Sequence, residues 1–199
     1  MALCDLIQIE TTKVKYRLSL SDGFRIAKSI IKGLKLKYVN PTTIKPDYKG
    51  ERNIGIPVGS IRRQEQTIGD VDILVTKQIK PDDIKSIKGF TRFINKGDKF
   101  ITFDHISHNG IVLRQVNIFI LTDLNSFGAM LLHTTGPAEY NRNLRKVAKD
   151  QGLMANQYGV YKDGKQIGGK TEESYYKAIK TSKFPEGKKW KDPSSRGKD

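Results

Sequence analysis

Apolar and polar positions alternate in short runs through the first two thirds of the chain and fall into helical register afterwards. Residues 5–18 alternate loosely, as a short edge strand would. Between Ser19 and Tyr38, Phe24, Ala27, Ile31 and Leu34 recur at helical spacing, with Arg25, Lys28 and Lys32 set apart from them. That spacing predicts an amphipathic helix capped at Ser21. The polar, proline-containing stretch 40–53 reads as a loop. "IGIPVGS" (54–60) predicts a strand ending in a turn, "IRRQEQT" (61–67) a short helix, and "DVDILVT" (70–76) a second strand. Pro81–Lys88 predicts another short helix, "GFTRFINKGDKFITFDH" (89–105) a hairpin turning at Lys96-Gly97-Asp98, and "GIVLRQVNIFIL" (110–121) a further strand.

From about residue 123 the pattern changes to helices with basic faces. In "PAEYNRNLRKVAKDQG", Pro137 suits a first helical position and Gly152 a C-terminal cap. Tyr140, Leu144, Val147 and Ala148 form one apolar stripe; Asn141, Arg145 and Lys149 share a different face. "VYKDGKQI" predicts a hairpin, since Asp163-Gly164 suits a type I′ turn. A last helix starts near Thr171, and the tail from Lys183 is basic. The expected class is α+β: a mixed sheet with helices over residues 1–122, then a small, mainly helical subdomain over 123–199.

One run breaks its own pattern. Strands prefer Val, Ile and Thr and disfavour Asp, yet Asp70 and Asp72 both sit inside "DVDILVT". Side chains alternate faces along a strand, so the two carboxylates share a face at a Cα separation of about 6.5–7 Å. Carboxylates that close repel unless a cation lies between them. Magnesium, which prefers hard oxygen ligands and keeps substrate phosphates in its shell, is the natural choice. A pair of such ions clamps both the attacking and the leaving oxygens of a phosphoryl transfer. Just upstream, Gly59-Ser60 presents backbone N–H groups and a hydroxyl to an anion, and Arg63 lies one turn further on.

Totals narrow the partner. Thirty-six Lys and Arg stand against 21 Asp and Glu, a net charge of +15 over 199 residues, which points to a polyanion. With 37% hydrophobic residues the chain builds a packed core rather than remaining disordered. The single cysteine, Cys4, excludes a disulfide framework and a cysteine-ligated zinc site and fits a reducing, intracellular compartment. No apolar stretch reaches the roughly 20 residues of a membrane helix, and the N-terminus lacks the apolar region of a secretory signal.

The window from Gly59-Ser60 through Arg63 to Gly69-Asp70-Val71-Asp72 resembles the nucleotidyltransferase signature of the family X DNA polymerases. "HTTGPAEYNRNLRKVAKDQGLMANQYGVY" (133–161) is similar to the family's Thr-Gly…Asn…Arg segment and following hairpin, "RLSLSDGFRIA" (17–27) to its first palm helix, and "WKDP" to its C-terminal end. The resemblance covers residues 17–196. The layout is similar to a reduced viral member, palm plus C-terminal subdomain, without a helix-hairpin-helix lyase domain or a BRCT domain. It implies a nucleotidyltransferase palm and a DNA-directed polymerase that adds dNMP from dNTP to a primer 3′ end, filling gaps in repair. Two Mg²⁺ ions, with Mn²⁺ as a substitute, would be held by Asp70, Asp72 and the residue at 117. The dNTP would be bound by Arg17, Gly59, Ser60, Arg63, Gly69, His133, Thr135, Gly136 and Asn141. Arg142, Arg145 and Lys149 would grip DNA, and the protein would work as a monomer. A viral origin would place it in host cytoplasm or virion.

Two departures stand out. Thr134 replaces one of a usual aromatic pair against the sugar, leaving His133 to stack there. More seriously, the position of the family's third aspartate is Asn117, which is neutral and cannot take a proton. An amide at that one position reads as a change from a native Asp that inactivates the chain. Two alternatives stand beside the templated polymerase. One is template-independent transfer, against which the Asn141–Arg145 helix speaks. The other is a DNA-binding relative without catalysis.

Overall fold

A computed structural model describes residues 17–106 and 113–180. The expected edge strand at 5–18 therefore lies outside the described residues except for its end, and the tail with Trp190 lies wholly outside them. Helix α1 (Leu20–Gly33) is capped by Ser19, two residues earlier than the spacing suggested. Ser19 Oγ accepts the Asp22 N–H at 3.1 Å while donating to the Asp22 carboxylate, so the hydroxyl that reaches the orphan donor marks the start. Strand β1 (Leu18–Ser19) pairs with β4 (Thr67–Ile68), closing a short ribbon across the start of α1.

A six-stranded mixed sheet runs β2 (Lys37–Tyr38), β3 (Ile54–Pro57), β5 (Val71–Val75), β8 (Leu113–Ile120), β7 (Phe100–Ile106), β6 (Phe90–Lys96). The pairs β2–β3 and β5–β8 are parallel and the others antiparallel. On one face, α1 and the short α3 (Pro81–Lys85) cover an aliphatic core that includes Ile30, Ile31, Ile73, Val116 and Ile118. Burying each such side chain contributes about 1.5–3 kcal/mol. The hairpin β6–β7 forms where it was expected.

The opposite face is half open. Its β3 end packs on α4 (Phe127–Thr135) through Ile54, Ile56, Leu74, Phe127 and Leu131. Helix α4 is buried almost all round, correcting the expectation that every helix past 123 has a basic face; a helix apolar on all sides belongs to the interior. Helix α5 (Ala138–Lys149) does have one, with Tyr140, Leu144 and Ala148 buried beneath it and Pro137 in the cap position. Strands β9 (Met154–Asn156), β10 (Gly159–Lys162) and β11 (Lys165–Gly168) form a small antiparallel sheet. Asp163 and Gly164 take φ of +49° and +75°, both positive as a type I′ turn requires. Helix α6 (Glu172–Ala178) is capped by Thr171.

The expected helix at 61–67 is shorter and earlier: α2 spans Gly59–Arg62. It stops there because Gln64 turns to φ +55° and the chain enters β4.

Candidate active site

The site grows from the register of β5 on β8. Val71, Ile73 and Val75 enter the α1 core, so Asp72 and Leu74 face the other way, Asp72 beside Asn117 and Leu74 beside Phe119. Asn117 Nδ2 donates to Asp72 Oδ1 at 2.8 Å. The Asn117 Oδ1 accepts from Thr102 Oγ1 on β7 and from Gln115 Nε2, each at 3.1 Å. Asp70 stands immediately before β5 and acts on Asp72 through its charge. Burial pushes the Asp72 carboxyl up to about 6; Asp70 adds to the rise, while the Asn117 amide and Arg63 oppose it.

The turn into α2 runs directly against this carboxylate. Gly59 has φ +57°, and a Cβ there would lie 2.1 Å from Asp72 Oδ2. The Val58 N–H donates to the Asp72 carbonyl at 2.8 Å. Two arginines then part company. Arg63 Nη1 donates to the Thr135 carbonyl at 2.6 Å, at the end of α4. Arg62, which the sequence did not single out, is fully buried: Nη1 donates to Thr135 Oγ1 at 2.7 Å, and Nη1 and Nη2 hold both oxygens of Glu172 at 2.8 and 2.7 Å.

Helix α5 closes the other side. Asn141 Nδ2 donates to the His133 carbonyl at 2.8 Å, and Arg145 Nη2 lies 3.0 Å from His133 Nδ1. Since guanidinium only donates, Nδ1 accepts and the imidazole is neutral there. Burial, helped by the Arg145 charge, lowers the His133 pKa from its usual value. His133 is therefore expected to titrate below pH 6.5 by NMR, and its contribution to stability falls as pH drops below that value, because the unfolded chain takes the proton first. A titration at or above 6.5 would contradict the pairing.

A cavity of about 460 Å³ opens between these parts. Gly59, Arg63 and Asp72 line it from the sheet side, and His133, Thr135, Gly136, Asn141, Arg142 and Arg145 from the helical side. Thr134 also lines it, its hydroxyl turned back to the Met130 carbonyl at 2.8 Å. Asn117 sits behind Asp72. Ser60 follows Gly59, half-buried. Arg17 is held by Thr67, through Nε at 2.7 Å and Nη2 at 2.9 Å, with Gly69 beside it, and neither Arg17 nor Gly69 lines the cavity. Lys149 is exposed at the far end of α5 and is not brought to the cavity. Gln115, two residues before Asn117 on the same strand face, was legible by strand alternation but went unremarked.

The donor set suits a hard divalent cation: the Asp70 charge helps raise the proton affinity of the Asp72 carboxylate, next to an anion-sized basic cavity. Among the described residues no group of three or more His, Cys, Asp or Glu side chains converges, and the third neighbour, Asn117, is an amide.

A mixed sheet bearing Asp72 on its half-open face, with a basic helical subdomain across the cavity, makes this an α+β protein. Residues 130–186 match the family model described as the DNA polymerase beta thumb. The chain is 27% identical over 123 residues to DNA polymerase lambda of Rattus norvegicus, covering 53% of this chain and 21% of that protein. It is 29% identical over 154 residues to the Repair DNA polymerase X of African swine fever virus, covering 73% of this chain and 83% of that one. Residues 130–186 are thus similar to a polymerase beta thumb, and much of the chain is similar to two DNA polymerases.

Proposed function

We propose that the protein is a DNA-directed DNA polymerase that adds a deoxynucleotide from a dNTP to a primer 3′ end, filling short gaps in repair. One observation carries this reading: Asp72, the Gly59 turn, Arg63 and the His133–Asn141–Arg145 cluster converge on a single basic cavity. Asp70 and Asp72 would hold Mg²⁺, or Mn²⁺ in its place, which when bound neutralises triphosphate charge. Ser60 and Arg63 bind the phosphates, and Arg17 adds positive charge beside Gly69. His133 presents a neutral ring for the sugar, and Asn141 fixes the backbone beneath it. Arg142 and Arg145 face the template side, and the +15 charge supplies salt-sensitive grip on the duplex. Catalysis is then positioning and charge stabilisation rather than covalent chemistry.

Primer extension by the Asn117→Asp form on a one-nucleotide gap, a recessed end and an unpaired strand tests the assignment. Incorporation directed by the template base, strongest at the gap, is expected; equal extension of the unpaired strand would favour template-independent transfer instead.

The alternative of a DNA-binding relative without turnover draws on Asn117, whose amide gives Asp72 a hydrogen bond and supplies no charge for a hydroxyl-activating ion. Asn117→Asp should raise incorporation about 100-fold, since a Lewis-acid contact at this step is worth several kcal/mol. No gain on the gapped substrate would leave the non-catalytic reading standing.

A further inference from the structure

We infer that the site as built holds one divalent cation, entering with a nucleoside triphosphate, and that Thr102 and Gln115 set this number by fixing which end of the Asn117 amide faces Asp72. The inference rests on the nucleotidyltransferase reading above.

A carboxylate only accepts hydrogen bonds, so the end of the Asn117 side chain 2.8 Å from Asp72 Oδ1 is the NH₂. The other end, the amide oxygen, is pinned between the Thr102 hydroxyl and the Gln115 amide, both at 3.1 Å. An amide oxygen has two lone pairs, and both directions are used here. Asn117 is buried, so solvent does not compete for those bonds. The edge of Asp72 that faces β8 therefore carries an N–H in the place where a cation shared with residue 117 would sit.

Turning the amide over would set its NH₂ against the Gln115 donor and its oxygen against the Asp72 carboxylate, two repulsive contacts in a half-dry site. The opposite edge of Asp72 is different. Oδ2 lies against the Gly59 turn, which together with Arg63 lines the cavity proposed for the triphosphate. A cation there, shared with Asp70, meets oxygen ligands from both protein and phosphate, the combination Mg²⁺ and Mn²⁺ prefer. With Asp at position 117, Thr102 and Gln115 would still hold one oxygen, and the other would face Asp72 as a second negative group. That arrangement calls for a cation between them.

Electron paramagnetic resonance of Mn²⁺ with a non-hydrolysable dNTP analogue counts the ions without relying on turnover. One tightly held Mn²⁺ per chain is expected in the unaltered protein, and two, with the broadened signal of a coupled pair, in Asn117→Asp. The double variant Thr102→Val, Gln115→Leu keeps Asn117 but frees its oxygen, and uptake should rise above one. Thermal melts confirm that each variant is folded before ions are counted. Two Mn²⁺ ions in the unaltered protein, or one in Asn117→Asp, would overturn the inference while leaving the nucleotidyltransferase reading intact. Uptake fixed at one in the double variant would overturn the role given to Thr102 and Gln115. No uptake in any folded form would sink the underlying reading of Asp70 and Asp72.

Discussion

Replacing Glu172 with Ala lowers stability by about 3–5 kcal/mol, the cost of stranding one partner of a buried ion pair. Both side chains are sealed from solvent, Arg62 at 0% and Glu172 at 1% exposure, so no water takes over for the missing carboxylate. Arg62 is left with Thr135 as its remaining polar partner among those described above. Among the described residues its buried Nε has no partner even before the substitution, which makes the loss harder to absorb. A two-partner substitution separates charge from packing: Arg62→Met with Glu172→Leu should recover most of the stability, because well-packed apolar pairs often match buried ionic ones. Urea denaturation midpoints measure both. A single-variant loss below about 1 kcal/mol would place this pair with the weak surface bridges instead.

Gly59→Ala should cut nucleotide incorporation about 100-fold, the scale on which a misplacement of about 1 Å acts, with a smaller effect on folding. Two causes combine. The positive φ costs a side-chain-bearing residue roughly 1–2 kcal/mol, and the new methyl would meet Asp72 Oδ2 at 2.1 Å. The turn or the carboxylate has to move, and both belong to the same cavity. Gly55→Ala is the matched control. Its methyl would press on the Ile31 side chain at 2.8 Å, within the core and away from the cavity, so stability falls while the incorporation of the folded fraction holds. Isothermal titration with the dNTP analogue and single-turnover incorporation read the two variants. A Gly59→Ala form that works normally would show that this turn does not cradle the triphosphate.

The acidic strand was legible because Asp70 and Asp72 violate a local preference strongly enough to be noticed against Val, Ile and Thr neighbours. The β6–β7 hairpin and the Asp163-Gly164 turn were legible for the opposite reason, local chemistry and tertiary structure agreeing. Helix α4 was misjudged since burial on all sides is a property of what surrounds a segment. Arg62 was missed because two adjacent arginines look alike in one dimension. Only the fold turns Arg62 inward to Glu172, 110 residues away, and leaves Arg63 at the cavity. The arrangement around Asn117 likewise depends on β7 lying beside β8, which no local pattern specifies. The family resemblance read from short motifs agreed with the thumb match and both relatives.

The stretch 40–53 has a mechanical consequence. The Tyr48 ring meets Phe127 edge-on at 5.5 Å between centroids, Gly50 abuts the same ring, and the Pro46 carbonyl takes the Glu173 N–H at 2.9 Å. Together with the Arg62 clasp, this strap moors α4 and the start of α6 to the sheet at two separated anchorages. A body moored twice cannot swing like a door without casting off one line. On the polymerase reading proposed above, small adjustments of α5 would grasp the substrate, and hydrogen exchange should find the moored helices quiet while α5 responds to nucleotide.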